Sequence, residues 1–367
     1  MNLRIPGPTP CPPEVLESMS HQMINHRGGE FAKLIIGVTE KLQKLFQTEG
    51  DVLILTGSGT GSMEAAIVNV LSPGDKVLSA SNGVFGDRFA SIAETFGAQV
   101  TRLKFPFGSA VDPQAVDKAL KADPSIKAVL VTHNETSTGV TNDLAAVAEV
   151  IKRHGKLVVV DGISSIGSID LPVDDWKCDI VVSGSQKSWM VPPGLAMVSV
   201  SSEGWKAVEA AKMPRFYWDF TRAKSSLEKG QTPWTPAVSI FYALDTALNM
   251  MMQEGLPNII ARHERVARIT REGVKSLGLS LFADEAYASN TVTAITVPEG
   301  VDPKKLLATL REEHKVVLSG GQASLDGKIF RIGHLGYVNE ADVENVLEAL
   351  KAALPKVGFT PAAVRAN

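Results

Sequence analysis

The chain has 367 residues, 44% of them hydrophobic and 21% charged, with a formal net charge of −3. A near-neutral balance without a lysine- or arginine-rich block argues against nucleic-acid or membrane-surface binding, and two cysteines, Cys11 and Cys178, are too few for a disulfide framework or a zinc site. With no run of about 18 apolar residues and no apolar signal-peptide core, the expectation is a cytoplasmic globular protein of two domains, or of one large domain with an appendage.

Residues 1–15 carry Pro6, Pro8, Pro10, Pro12 and Pro13. Their fixed dihedrals and missing donors predict an extended arm lying across another surface. Helices are predicted at Glu14–Gln22 and Ala32–Phe46, separated by Asn25-His26-Arg27-Gly28-Gly29. A strand–helix alternation then begins. Val52–Leu55 is apolar, Thr56–Gly61 is glycine-rich, and the helix after it places Met63, Ala66, Ile67, Val70 and Leu71 on one face. A strand is expected at Lys76–Ala80 and a helix at Phe85–Phe96, stopped by Gly97. Val100–Leu103 is the next strand, and Asp112-Pro113 opens a helix to Ala122. Ala128–Thr132 is a strand, Asp143–His154 a helix, and Leu157–Val160, Ile180–Val182 and Leu195–Val200 are apolar runs of strand length. Such alternation predicts a mostly parallel α/β sheet. Beyond Lys212 the pattern changes. Met213–Phe220 is aromatic and irregular, and Gly230–Pro236 is a loop. Long helices are predicted at Ala237–Met252 and Asn258–Leu277, and later segments (Val292–Val297, Pro303–His314, Val316–Leu318, Phe330–Ile332, Glu340–Ala353) form an α+β module. The expected organisation is an arm at 1–15, a large domain at 16–254 and a small domain at 255–367.

Two apolar runs end in chemistry-bearing residues: Leu157–Val160 in Asp161, and Ile180–Val182 in Ser183-Gly184-Ser185-Gln186-Lys187. Strands of a parallel sheet deliver such residues to one rim, where ligands bind. Lys187 precedes the apolar, stiff Ser188–Gly194; desolvation there would lower its ammonium pKa and yield a nucleophilic amine, whereas an ordinary lysine is a solvated surface residue. Asp161 either caps a turn or pairs with a heterocycle nitrogen. Gly57–Gly61 is either a plain strand-to-helix turn or a cradle for one phosphate, since glycines admit an anion to the unpaired N–H groups of a helix start. It matches neither a dinucleotide fingerprint nor a Walker loop. In this order within one α/β domain, a phosphate loop, an acid and a lysine meet the needs of pyridoxal phosphate. No HExxH or Cys/His cluster occurs, so no metal is expected. His26, Arg27, His133 and Glu135 are further candidates near the site. Met250-Met251-Met252 is expected in the core, and Phe216-Tyr217-Trp218 at an interface or a substrate entrance.

The segments TGSGTGSMEAA (Thr56–Ala66), NGVFGDR (Asn82–Arg88), THNETSTGV (Thr132–Val140), DGISSIG (Asp161–Gly167), SGSQK with PPG (Ser183–Lys187, Pro192–Gly194) and KIFRIGHLG (Lys328–Gly336) together resemble class V aminotransferases. The resemblance is greatest to the alanine–glyoxylate and serine–pyruvate (serine–glyoxylate) group. It implies a fold-type-I architecture: a large domain with a mostly parallel seven-stranded sheet, a smaller C-terminal α+β domain, and a homodimer with sites at the subunit interface. It implies transamination of alanine or serine with glyoxylate or pyruvate, with pyridoxal 5'-phosphate on Lys187 and Asp161 at the pyridine nitrogen. Ser58, Gly59, Thr60 and Gln186 would hold the phosphate, with Thr235 from the partner subunit. Phe85 would stack on the ring, Ile163 would pack on its other face, and Thr136 would reach the phenolic oxygen. Arg331 would clamp the substrate carboxylate, near Gly7. Relatives often carry a tyrosine where this chain has Thr232, which leaves a phosphate contact unsupplied there. Related readings are a cysteine desulfurase or lyase, disfavoured by Gln186 and by the positions of the two cysteines, and a non-catalytic subunit of the same fold.

Overall fold

The structure is a computed structural model that describes residues 1–359; residues 360–367, the end of the expected small domain, lie outside the described residues. Seven strands form the main sheet: β1 (Asp51–Gly57), β2 (Lys76–Ser81), β3 (Gln99–Lys104), β4 (Ala128–Thr132), β5 (Leu157–Asp161), β6 (Ile180–Gly184) and β7 (Gly194–Val200). Their spatial order is β1-β7-β6-β5-β4-β2-β3. The β3-β2-β4-β5-β6 run is parallel, and β7 is antiparallel to both β6 and β1. The direction of β7 follows from its connection: Ser185–Pro193 is too short for the crossover that a parallel neighbour requires.

Helices cover both faces, so the central strands are apolar throughout, and every residue of β4 and β6 is buried. Successive residues serve opposite faces. Val129 and Val131 join a core with Phe46, Trp189 and Phe241, while Ala128 and Leu130 join one with Met63, Ile67 and Phe89. A smaller antiparallel sheet consists of β8 (Val292–Thr296), β9 (Ser319–Gly320) and β10 (Ile329–Gly333), in the order β8-β10-β9. Helices Leu256–Ser276, Pro303–His314 and Glu340–Ala353 close over it through Val274, Leu306 and Leu350, which meet Ile295 and Phe330. Gly255, at φ 81°, separates helix Val238–Glu254 from Leu256–Ser276. No helix among the described residues is long and apolar enough to cross a membrane.

The proline-rich arm lies across this chain's own surface. Asn2–Leu3 pairs in parallel with Val316–Val317. Gly333 donates its N–H to the Arg4 carbonyl at 2.7 Å, and Thr9 donates to the Gln186 carbonyl at 3.0 Å. The arm therefore runs from the small sheet to the loop that carries Lys187.

Some local expectations change. The first helix spans only Pro13–Ser18, and the second starts earlier, at Gly29. The glycine-rich stretch is not a loop ahead of its helix; Gly59 begins that helix, which runs to Val70. Of the methionine triplet only Met251 is buried and Met252 is exposed, because adjacent helical positions face different directions. Phe216 and Tyr217 are exposed and stack against Trp234, whereas Trp218 is half-buried and its indole N–H donates to the Thr56 carbonyl at 3.1 Å.

Candidate active site

The carboxyl ends of β4, β5 and β6 open on one cavity of about 210 Å³. Asp161, Gln186 and Lys187 line its floor, and Thr136 comes from the turn after β4. Gly59 and Thr60 contribute the first turn of helix Gly59–Val70, Phe85 comes from helix Val84–Thr95, and Ile163 and the arm's Gly7 complete the wall. Of the residues expected at the site, three do not line this cavity: Ser58 and Thr235, which are exposed, and Arg331, which is buried behind Thr136.

Lys187 is held in the cavity by the arm. Its Nζ donates to the Pro6 carbonyl at 2.6 Å, and a Cβ on Gly7 would fall 2.5 Å from that nitrogen. Gly7 also sits at φ +139°, so two constraints favour glycine there. Burial pushes the Lys187 ammonium down to about 8, against the attraction of Asp161. Asp161 is 4% exposed, and burial pushes its carboxyl up to about 7, although the Ile163 N–H donates to it at 3.0 Å. An acid and an amine thus share one largely desolvated space, each closer to neutrality than in water.

One end of the cavity is built around a helix start. Ser58 caps helix Gly59–Val70, its Oγ accepting the Gly61 N–H at 3.4 Å. The first-turn N–H groups of a helix have no intrahelical acceptor and carry positive partial charge. Arg88 donates to Thr60 Oγ1 at 3.3 Å and lies over the Phe85 ring, 4.8 Å from its centroid. Gln186 Oε1 is buried and has no hydrogen-bond partner among the described residues.

Arg331, on β10, reaches the other side of Thr136. Its Nη1 donates to the Thr136 carbonyl at 3.1 Å, and Nε and Nη2 donate to the Gly320 carbonyl at 3.0 and 2.8 Å. It is 4% exposed, and burial pushes it down to about 10. Among the described residues no carboxylate forms an ion pair with it, so a buried cation awaits an acid.

Arg88 and Ser164 are site residues that sequence reasoning left unassigned; Ser164 Oγ lies 2.9 Å from Thr136 Oγ1. The other candidates divide. His133 is buried edge-on against Trp176, and burial pushes it down to about 3. Arg27 donates to the Thr232 and Pro233 carbonyls at 2.6 and 3.1 Å and so secures the loop bearing Thr235. Thr232 itself donates to the Trp234 carbonyl at 2.7 Å. Glu135 is buried beside the Phe85 helix.

Fold and site together define an α/β protein that brings a half-buried lysine, a buried strand-end acid and the start of a helix to one cavity. Its family follows from comparison: the model for aminotransferase class V matches residues 1–346, and the chain belongs to that family. It is 45% identical to the soluble hydrogenase small subunit of a Synechococcus strain, over 98% of this chain and 94% of that one. It is 40% identical to the L-aspartate–glyoxylate aminotransferase of Paracoccus denitrificans, over 92% and 87%. The crystal structure of pyridoxamine–pyruvate aminotransferase from Mesorhizobium loti superposes with a TM-score of 0.96 at 33% identity, covering 99% of this chain and 94% of that one.

Enzymes of this family and fold in general depend on pyridoxal phosphate. The residues present fit that group. A half-buried amine and a buried acid face one cavity, and a helix start offers N–H groups to an anion.

Proposed function

We propose that this aminotransferase transfers the amino group of a small amino acid, alanine or serine, to glyoxylate or pyruvate, with Lys187 as Schiff-base lysine and proton shuttle. The observation that carries the proposal is the meeting of Lys187, Asp161 and the Gly59 helix start on one cavity, with Arg331 buried nearby and, among the described residues, in no ion pair. Pyridoxal phosphate supplies, when bound, an electron sink for the charge left on the substrate Cα. Asp161 would hold a proton at the ring nitrogen, and its dry setting strengthens that pairing. Ser58, Gly59, Thr60 and Gln186 would hold the phosphate, with Thr235 supplied by the partner of a homodimer. Phe85 and Ile163 would grip the ring's faces, and Thr136 would reach its phenolic oxygen. Lys187, with its lowered affinity for protons, would take the Cα proton and return it across the same face. Arg331 would bind the substrate carboxylate as a bidentate fork, and Gly7 leaves room for the small side chain.

A dicarboxylic donor would need a cation at its far end. The arginine that lines the cavity, Arg88, is engaged with Thr60 at the phosphate side, which supports a small donor. Neither Cys11 nor Cys178 lines the cavity, which disfavours a desulfurase. A cytoplasmic location, and the division into arm 1–15, large domain 16–254 and small domain 255–367, belong to the same proposal; the break at Gly255 supports that boundary.

The test is a half-reaction screen of the cofactor-loaded protein. Alanine or serine should bleach the visible band of the bound cofactor, and glyoxylate or pyruvate should restore it. Lys187→Ala should stop turnover; near-normal transamination by that variant would sink the assignment. A protein that shows no visible band with added cofactor would instead be a non-catalytic member of the fold.

A further inference from the structure

Glu135 is a buried acid for which the chemistry above has no use. Its Oε2 accepts the N–H groups of Phe85 and Gly86, each at 3.0 Å. Its Oε1 accepts the Ser137 N–H at 3.1 Å and the Ser137 hydroxyl at 2.5 Å. That hydroxyl oxygen in turn accepts the Val84 N–H at 2.9 Å. The first three N–H groups of helix Val84–Thr95 are therefore all satisfied by the segment after β4.

The helix cannot cap itself, because its N-cap is Gly83. A side chain there is excluded: a Cβ on Gly83 would run into the Glu135 carboxyl and lie 2.6 Å from Ser137 Oγ. The cap comes instead from about fifty residues away, in the stretch that holds Thr136. The neighbouring Thr136 carbonyl accepts from Arg331, so one short segment anchors the helix of Phe85 and the guanidinium of Arg331.

We propose that Glu135 is a positioning residue: its carboxylate fixes the first turn of helix Val84–Thr95, and with it the tilt and depth at which the Phe85 ring meets the cofactor. This role rests on the cofactor reading given above. The contacts call for a carboxylate. Three donors are backbone N–H groups, which cannot accept, so an amide in this place would set an N–H against another N–H whichever way it turned. Burial pushes the carboxyl up, and the donors from Ser137, Gly86 and Phe85 oppose that shift.

The test uses the full chain carrying Glu135→Gln, with Ser137→Ala as a milder second variant. In the cofactor-free protein, hydrogen exchange should quicken about tenfold or more at Val84, Phe85 and Gly86 in E135Q, and chiefly at Val84 in S137A. In the loaded protein, E135Q should change the circular dichroism of the visible band per bound cofactor and release cofactor faster, while S137A stays near wild type. A residue that merely supports the fold would lower the melting temperature and leave that dichroism unchanged; this result, or unaltered exchange at residues 84–86, would overturn the proposal. Should E135Q fail to fold, S137A exchange confined to Val84 supports the cap, and exchange unchanged there refutes it. If the wild type takes up no cofactor, the cofactor reading falls, and the positioning role falls with it. The exchange data then still report separately on the helix cap.

Discussion

Lys187 should capture an aldehyde far more readily at neutral pH than an ordinary lysine does. Burial lowers its ammonium from 10.5 to about 8. At pH 7 the free-amine fraction is then about 9%, against about 0.03% for the unperturbed group, a gain of about 300-fold in reactive amine. The sign is fixed by which form reacts: the amine is the nucleophile, so capture rises with pH and levels off above the shifted value. The assay is the initial rate of pyridoxal phosphate attachment to cofactor-free protein from pH 6 to 10, trapped by borohydride and located by mass spectrometry. Neighbouring charges supply a second check. Asp161 raises the Lys187 value and Arg331 lowers it, so Asp161→Asn should move the inflection to lower pH and Arg331→Met to higher pH. An inflection near the ordinary lysine value, or shifts of the opposite sign, would refute the electrostatic reasoning.

Two further outcomes are expected. Arg331→Lys keeps the charge but loses the planar fork, which at about 1.5–3 kcal/mol should raise the donor KM about 10- to 150-fold with a smaller effect on kcat; steady-state kinetics with the best donor checks this, and an unchanged KM would remove Arg331 from the carboxylate site. Gly333→Ala puts a Cβ against the Ile5–Pro6 backbone and should cost about 1–3 kcal/mol through overpacking. Thermal melting and limited proteolysis of the first ten residues would register it, and an arm that stays protected would count against the close fit.

Asp161 and Lys187 were legible in the sequence because both close short β-branched runs bounded by turns, the strongest local sign of a buried strand. The reversed direction of β7 was not, since apolar periodicity carries no direction. Only the short Ser185–Pro193 connection held that information. Gly59 looked like a loop residue, yet at a helix start its backbone freedom costs little and the close approach of Ile163 favours it. Arg88 carried no assigned role; its one sequence signal was the i, i+3 spacing from Phe85, which stacks the two side chains. Glu135 stood out only by its place beside Thr136; its capping role had no local signal, because the helix it caps lies fifty residues upstream. Spacing within a segment shows what that segment builds, while partners joined across the fold appear only once the fold is formed.

The arm also constrains the order of folding. Pro6 meets Lys187 across 181 residues, and Asn2 bonds the Asp342 carbonyl across 340. Contacts of such long range close late, after the loops between them are organised. The arm can therefore settle only when the strands and helices of the small sheet's module have been made. A chain stalled before β10 would have its acid and its lysine, but nothing at Arg331 or Gly333 to draw the arm across them. Maturation of the pocket is in this sense a reading of whether synthesis has passed the small sheet.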